Sequence, residues 1–396
     1  MQGTAGTLET AERQVGSAAL RTVSLRDFRN LSRLDLTVPE AGAMIVGPNG
    51  SGKTNLLEAL YYLEIFRSFR GARDRELPRF GQDVFRIEAT VARGASTLEL
   101  AAAWQKSTRR KKVQIDGHEP ERLSDAIGTL GAVVFSLDDS ELIWGSPSRR
   151  RRYLDILLSL VEPGYVGALQ RYRAVLGQRN EALRLGRTSV VRAWGEGLVE
   201  PGGALMAARA AWTSERNAAF GRYHAAIAGG AAAEFGYAAS LGDAGRPETR
   251  DGAAWADALR RALAASEESD RRRGMTQVGP HRDDVVIRAV VDGGAERRDL
   301  RSYGSGGQRR TAAIALRLVE ADSLTDRAGR EPVYLLDDVF AELDGERSRR
   351  VLELLEDGRS GQVLLTAPKP VDLPLRGGSL PVWRIDDGRI ETDGDG

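Results

Sequence analysis

The sequence predicts an α/β protein whose main body is assembled from both ends of the chain, with a mostly helical second lobe inserted between them. Three observations predict it. Residues 43–46 are an apolar run that leads into a glycine-rich turn and then a helical pattern through Tyr62, the strand–loop–helix order of a phosphate-binding loop. Near the other end, residues 333–336 form a second buried run that stops at two carboxylates, Asp337 and Asp338. Between them, from Ser146 to about Ser269, the chain is rich in Ala, Arg and Leu and reads as helix.

At 396 residues the chain is long enough for two or three folding units. Apolar residues make up 41% and charged residues 29%, a mix that excludes a wholly disordered or fibrous chain. There is no Cys, which removes disulfides, thiolate metal sites and Cys nucleophiles and fits a reducing cytoplasm. His118, His224 and His281 are too scattered for a His-based metal site. Basic and acidic residues balance to a net +1 with neither half dominant, which excludes a bulk nucleic-acid coat protein. All but five of the basic residues are Arg. Coding bias explains the excess, yet Arg grips phosphate bidentately, so local clusters still count. No apolar run approaches the ~18 residues of a membrane helix. Residues 1–17 lack an apolar core and read as a flexible extension rather than a signal peptide. A cytoplasmic protein is expected, with no membrane partner.

Taken in order, the N-terminal part is strand-rich from Leu20 to about Trp104. Leu34, Leu36 and Val38 alternate with polar residues, as do Phe85, Ile87, Ala89 and Val91, the mark of half-buried strands. Val113, Ile115 and the turn pair Asp116-Gly117 predict a hairpin. After Val133-Val134-Phe135, Ser146-Pro147 reads as an N-cap with Pro at the first helical position. The helical stretch is expected to break at Pro201-Gly202-Gly203 and at Gly229-Gly230, which excludes one uninterrupted coiled coil. A loose stretch spans 241–251. Strands return at 285–287 and 290–291, a helix starts near Gly306, and a last buried strand lies at 363–365. The expected division is an α/β lobe with the phosphate loop from 18–135 and 276–392, with a helical lobe over 136–275.

Gly47-Pro48-Asn49-Gly50-Ser51-Gly52-Lys53-Thr54 fits G-x-x-x-x-G-K-[ST]. The glycines let backbone N–H groups approach phosphate oxygens, and the helix beginning near Gly52 adds its positive end. Asn55 continues that first turn beside the nucleotide. Lys53 reaches the β- and γ-phosphates and Thr54 supplies a hydroxyl to Mg²⁺. Asp337 is the second Mg²⁺ group, and Asp338, one residue on, is placed to polarise the attacking water. Ser305-Gly306-Gly307-Gln308 opens a helix and forms another anion-binding terminus. The order of phosphate loop, helical insert, S-G-G-Q and carboxylate strand resembles that of ABC-type P-loop ATPase heads. That resemblance implies that the S-G-G-Q of one subunit closes over ATP held by the other.

Within that class the sequence resembles the RecF family of DNA replication and repair proteins. Leu25-Arg26-Asp27-Phe28-Arg29-Asn30 is similar to the family's opening. Gly52 to Ala59 and Arg67-Ser68-Phe69-Arg70 are similar to its phosphate-loop helix and the turn beyond. Val134-Phe135-Ser136, Gly145-Ser146-Pro147-Ser148 with Arg150-Arg151-Arg152, and Leu154-Asp155 resemble its mid-chain stretch. Gly279-Pro280-His281-Arg282-Asp283-Asp284, Asp337-Asp338-Val339 and Glu342-Leu343-Asp344 complete the set. Leu137 and Arg149 depart from it, standing where Pro and an acidic residue are usual. Tyr303-Gly304 replace the usual ABC Leu before the signature serine. Thr366-Ala367-Pro368 follow the last buried strand, so the switch His of many ABC ATPases is absent, as the resemblance implies for RecF proteins too.

The resemblance implies an ATP-dependent clamp with ATP and Mg²⁺ as cofactors. ATP would drive homodimerisation on double-stranded, gapped or junction DNA, and slow hydrolysis would release it. RecR is the implied partner, with RecO and RecA loading downstream. Arg109-Arg110-Lys111-Lys112 and Arg150-Arg151 are candidate phosphate contacts. The run at 149–152 falls in a first helical turn, where positive charge opposes the macrodipole. The alternative reading is the ATPase subunit of a membrane transporter, which the insert of over 100 residues opposes. The lack of long heptads argues against a chromosome-structural SMC-like chain.

Overall fold

The structure, a computed structural model, describes residues 16–94, 96–242, 245–356, 361–370, 374–375 and 378–392. In chain order its first part runs β1 (Gly16–Phe28), β2 (Leu31–Thr37), β3 (Gly42–Val46), α1 (Lys53–Ile65), β4 (Val84–Arg93), β5 (Ser96–Gln105), β6 (Arg110–Ile115), α2 (Leu123–Ala126) and β7 (Ala132–Ser136). The middle comprises α3 (Glu141–Trp144), α4 (Pro147–Val161), α5 (Tyr165–Arg184), α6 (Thr188–Ala228), β8 (Ala232–Ala238) and α7 (Gly252–Arg273). Then follow β9 (Asp284–Val291), β10 (Glu296–Asp299), α8 (Leu300–Tyr303), α9 (Gly306–Ala328), β11 (Arg330–Glu331) and β12 (Val333–Asp337). The chain closes with α10 (Gly345–Glu356), β13 (Val363–Ala367), β14 (Pro374–Leu375), β15 (Gly378–Ser379), β16 (Val382–Asp386) and β17 (Arg389–Thr392).

Both chain ends build the α/β body. The central sheet has the order β17-β16-β3-β13-β12-β7 and is parallel except for its edge strand β17. Its inner strands β3, β12 and β13 are buried on both faces, which is why they read as continuous apolar runs. Alternate residues serve two cores. Ala43, Ile45, Leu335 and Leu364 pack against α1 and the antiparallel sheet of β2, β1, β4, β5 and β6. Met44, Val46, Leu336 and Leu365 pack against α9 and α10 on the other side. Helix α1 is therefore enclosed between two sheets, and its residues from Leu56 to Ile65 are all buried.

A third core unites α4, α5, α6 and α7 with β8 and β9. Strand β8 has no counterpart in the expected pattern, yet Ala233, Phe235 and Tyr237 alternate inward and pair with β9 in antiparallel register. The Ala-rich flanks mask that short period-2 signal. As a consequence β9 and β10, which the sequence groups with the α/β lobe, are hydrogen-bonded into the sheet of the helical lobe. Helix α9 joins the two: Ala312, Ala315, Leu316 and Val319 face the helical core, while Ile314, Leu318 and Leu324 face the central sheet.

Two turn expectations change. Pro201 lies inside α6, which runs unbroken past Gly202 and Gly203. The glycines serve close packing: a Cβ on Gly203 would sit 2.6 Å from the Ala256 amide nitrogen of α7. The Gly229 break stands, with φ 71 at the C-cap of α6. The hairpin near Val113 is the β5–β6 pair, and its turn falls at 106–109 rather than at Asp116-Gly117, which closes a bridge from Ile115 to His118. Of the expected extension, residues 1–15 lie outside the described residues, whereas Gly16 and Ser17 begin β1 and pair with Arg330 and Glu331.

Candidate nucleotide site

Strand β3 delivers the glycine-rich loop to the edge of a cleft of about 920 Å³. Gly50 (φ 84) and Gly52 (φ 118) occupy left-handed conformations that residues with a Cβ avoid. Gly47 is tight for a different reason: a Cβ there would lie 2.1 Å from the Ile385 carbonyl oxygen. Lys53 Nζ turns back over the loop and donates to the carbonyl oxygens of Gly47 (2.8 Å) and Pro48 (3.1 Å). The loop is thus closed around its own ammonium group, with the N-terminus of α1 behind it.

The carboxylate strand meets this loop from the next-but-one position in the sheet. Thr54 Oγ1 donates to Asp337 Oδ1 at 2.8 Å. Parallel register sets Thr366 opposite Asp337, and its hydroxyl donates to the same Oδ1 at 3.0 Å while accepting from the Asp338 amide at 2.9 Å. Burial raises the Asp337 pKa, the Asp338 charge adds to the rise, and the Thr54 and Thr366 hydrogen bonds oppose it. A desolvated carboxylate beside a second one and a threonine hydroxyl is a set of hard oxygen donors of the kind that suits Mg²⁺. Asp338 takes φ 50, a conformation Asp tolerates better than most residues, and lines the cleft.

A further layer lies behind the loop, built from residues whose motif similarity alone gives them no role. Glu58 of α1 is fully buried and receives Arg29 through two bonds, of 3.0 Å and 2.9 Å, together with the Ser68 hydroxyl. Arg70 lies 3.6 Å from the same carboxylate and donates to Asn55 Oδ1 at 3.2 Å. Asn55 donates in turn to Asn30 Oδ1 (2.8 Å), and Asn30 donates to the Ser51 carbonyl oxygen (3.1 Å). The β1–β2 turn and the turn after α1 therefore brace the phosphate loop. A buried Glu on an otherwise apolar stretch of helix is the signal that could have found these partners.

The signature residues stand elsewhere. Ser305 caps α9, accepting from the Gln308 amide at 3.2 Å, while Gln308 Oε1 accepts from the Ser305 amide at 2.9 Å. A Cβ added to Gly306 would meet nothing within 4 Å. Among the described residues, none of 305–308 lines the phosphate cleft.

The basic runs divide. Arg109, Arg110 and Lys112 are exposed on the β5–β6 hairpin. Lys111 is turned inward, 3.0 Å from Asp74 and over the Tyr62 ring, and burial lowers its pKa. Arg150 is a correction. It is buried, bonded through two nitrogens to Asp284, and donates to the carbonyl oxygens of Ile143 and Gly145 at the end of α3. It answers the negative end of that neighbouring helix and is not available to DNA. Arg151 is half-buried and donates to the Asp283 carbonyl oxygen at 2.7 Å. Charge in the first turn of α4 is thus used within the fold.

An ABC-type ATPase head of the SMC class is what this sheet order, phosphate loop and separately placed signature define. Comparison with known proteins narrows it. Residues 19–372 match the family model "RecF/RecN/SMC N terminal domain". The chain is 38% identical to the DNA replication and repair protein RecF of Chloroflexus aurantiacus, over 92% of this chain and 97% of that one. A solved structure described as the recombination mediator protein RecF with ATP in the RecFOR pathway superposes with a TM-score of 0.85 at 30% identity, covering 96% of this chain and 99% of that one. An Smc head bound to the winged-helix domain of ScpA shares the fold, with a TM-score of 0.54 at 15% identity over 95% and 98% of the two chains. The chain belongs to the RecF family of DNA replication and repair proteins. The transporter reading is not favoured. Among the described residues no helix is long and apolar enough to cross a membrane.

Proposed function

We propose that the protein is a cytoplasmic ATP-gated DNA clamp. Two heads close over two ATP molecules on double-stranded, gapped or junction DNA, and slow hydrolysis reopens them. The observation that carries the reading is the separation of the half-sites. The phosphate loop and carboxylates are hydrogen-bonded together, while the Ser305 terminus lies outside that cleft with Gly306 open. Such a terminus completes a nucleotide site only on another copy.

Within each head, the backbone N–H groups of residues 49–54 and the Lys53 ammonium hold the phosphates. Thr54 and Asp337 are the residues that would hold Mg²⁺, which when bound neutralises charge on the β- and γ-phosphates. Asp338, steadied by Thr366, orients water, and the partner's signature serine donates to the γ-phosphate. Asp in place of a longer Glu, and no switch His, argue for turnover below the ~1–10³ s⁻¹ of typical enzymes. RecR is the proposed partner of the ATP-bound dimer, with RecO and RecA acting downstream. Exposed Arg109, Arg110 and Lys112 are the proposed DNA contacts.

Ser305→Arg tests the clamp. Loss of the cap costs α9 only about 1 kcal/mol, so the head stays folded, and monomers bind ATP as before. ATP-dependent dimers and DNA retention, read by light scattering and DNA binding, disappear. Dimers of Ser305→Arg formed with ATP would refute the two-chain site.

A further inference from the structure

Phe80 is fully exposed, with a relative accessibility of 102%. Large apolar rings are seldom left so, because burying one stabilises a fold by about 1.5–3 kcal/mol. This ring is not on a loose tip. Pro78 pairs with Phe28 across a β-bridge, the Arg79 amide donates to the Asp27 carbonyl oxygen at 2.7 Å, and the Gln82 amide donates to that of Arg79 at 2.9 Å. Gly81, at φ 83, completes a turn that holds the ring outward.

The turn stands at the phosphate cleft. Phe80 lines that cleft together with Asn49, Gly50, Gly52, Lys53 and Thr54, and it is the one apolar side chain among the described residues that do so. Two of the polar side chains that line the cleft with it are already engaged. Arg29 is bonded to Glu58, and Asn30 to both Asn55 and the Ser51 carbonyl. They are not free to read the hydrogen-bonding edge of a base. To this otherwise polar lining Phe80 adds a flat hydrocarbon face.

We propose that Phe80 is the stacking platform for the base of the nucleotide whose phosphates the glycine-rich loop holds. This rests on the phosphate-loop reading above. Stacking is tolerant of base identity and grows with ring area, because every base presents a π-face. The site is therefore selective for purines over pyrimidines and discriminates weakly between adenine and guanine. Phe80 sets affinity through the base, while Lys53, Thr54 and the loop amides set it through the phosphates.

The test is calorimetric binding of ATP, GTP, UTP and inorganic tripolyphosphate to the full chain, as wild type, Phe80→Ala and Phe80→Trp. Phe80→Ala removes no packing, so folding is not at issue. The expected result is a loss of ATP and GTP affinity of about tenfold in Phe80→Ala, a smaller loss for UTP, and unchanged affinity for tripolyphosphate. Phe80→Trp retains ATP binding, and its fluorescence is quenched on ATP but not on tripolyphosphate. Wild-type ATP affinity in Phe80→Ala overturns the proposal; if DNA affinity falls instead, the ring is a nucleic-acid contact. An equal loss for tripolyphosphate overturns it as well, since the ring would then act on the loop. Wild-type protein that ignores tripolyphosphate overturns the phosphate-loop reading itself, and the platform with it.

Discussion

Asp338 depends on a neighbour that no motif singles out for this task. In the sequence Thr366 marks only the missing switch His, yet its hydroxyl links the Asp338 amide to the Asp337 carboxylate. Motif spacing reveals the phosphate loop and both carboxylates, because the residues of each motif lie adjacent in the chain. It does not reveal Thr366, since cross-strand register is invisible until the strands are paired. Asp338→Asn keeps the shape but removes the negative acceptor, so single-turnover hydrolysis should nearly stop while ATP affinity holds and DNA dissociation slows. Full hydrolysis by the Asn variant would assign water activation to another group. Glu64 makes a separate prediction. It is buried at the far end of α1, accepts from the Gly131 amide at 2.8 Å, and burial pushes its pKa up to about 7 from 4.5. The folded state then holds a proton that the unfolded state has released. Stability therefore falls as pH rises from about 4.5 to 7 and levels off above, by about 3 kcal/mol at most. Glu64→Gln should flatten that slope in urea midpoints taken between pH 5 and pH 8; an unchanged slope would mean that the carboxyl is ionised throughout.

Among the elements, α6 shows where local rules mislead. Pro-Gly-Gly is a strong break signal, and an interruption is the natural expectation there. Tertiary packing overrides propensity: with no Cβ at Gly202 or Gly203, α6 and α7 approach more closely than longer side chains allow. Two glycine substitutions separate the effects. Gly203→Ala would press on Ala256 backbone atoms at 2.6 Å and 2.7 Å, and should destabilise the protein by about 1–3 kcal/mol. Gly177→Ala in α5 meets nothing within 4 Å and should stabilise by up to about 1 kcal/mol. Urea unfolding of both variants checks the pair; equal effects would show that helix propensity alone governs both sites. The elements with strong period-2 or continuous apolar runs are legible, whereas β8 is hidden because Ala fits either period.

For the whole molecule, the α/β fold class can be read from the order of the motifs. The contact between the chain ends cannot. Gln362 joins the two chain ends within the α/β body: it is buried and bonded to the Leu20 amide (2.8 Å), the Leu20 carbonyl oxygen (3.0 Å) and the Pro39 carbonyl oxygen (2.7 Å). A lone polar residue before an apolar strand gives no hint of partners 342 positions away. Gln362→Ala leaves those backbone groups unpaired and should cost about 2–4 kcal/mol in urea unfolding, with nucleotide affinity in the folded fraction unchanged. A variant as stable as wild type would show that water satisfies the Leu20 and Pro39 backbone groups. The sheet order also bears on synthesis. Strand β3, which carries the phosphate loop, is flanked in its sheet by β13 and β16, and both are made long after it. Thr54 waits 283 residues for Asp337, roughly 15–60 s at ribosomal speeds. A nascent chain therefore carries its phosphate loop without the carboxylate and the neighbouring strand that hold it, and the site becomes whole only after Asp337 and β13 have been made.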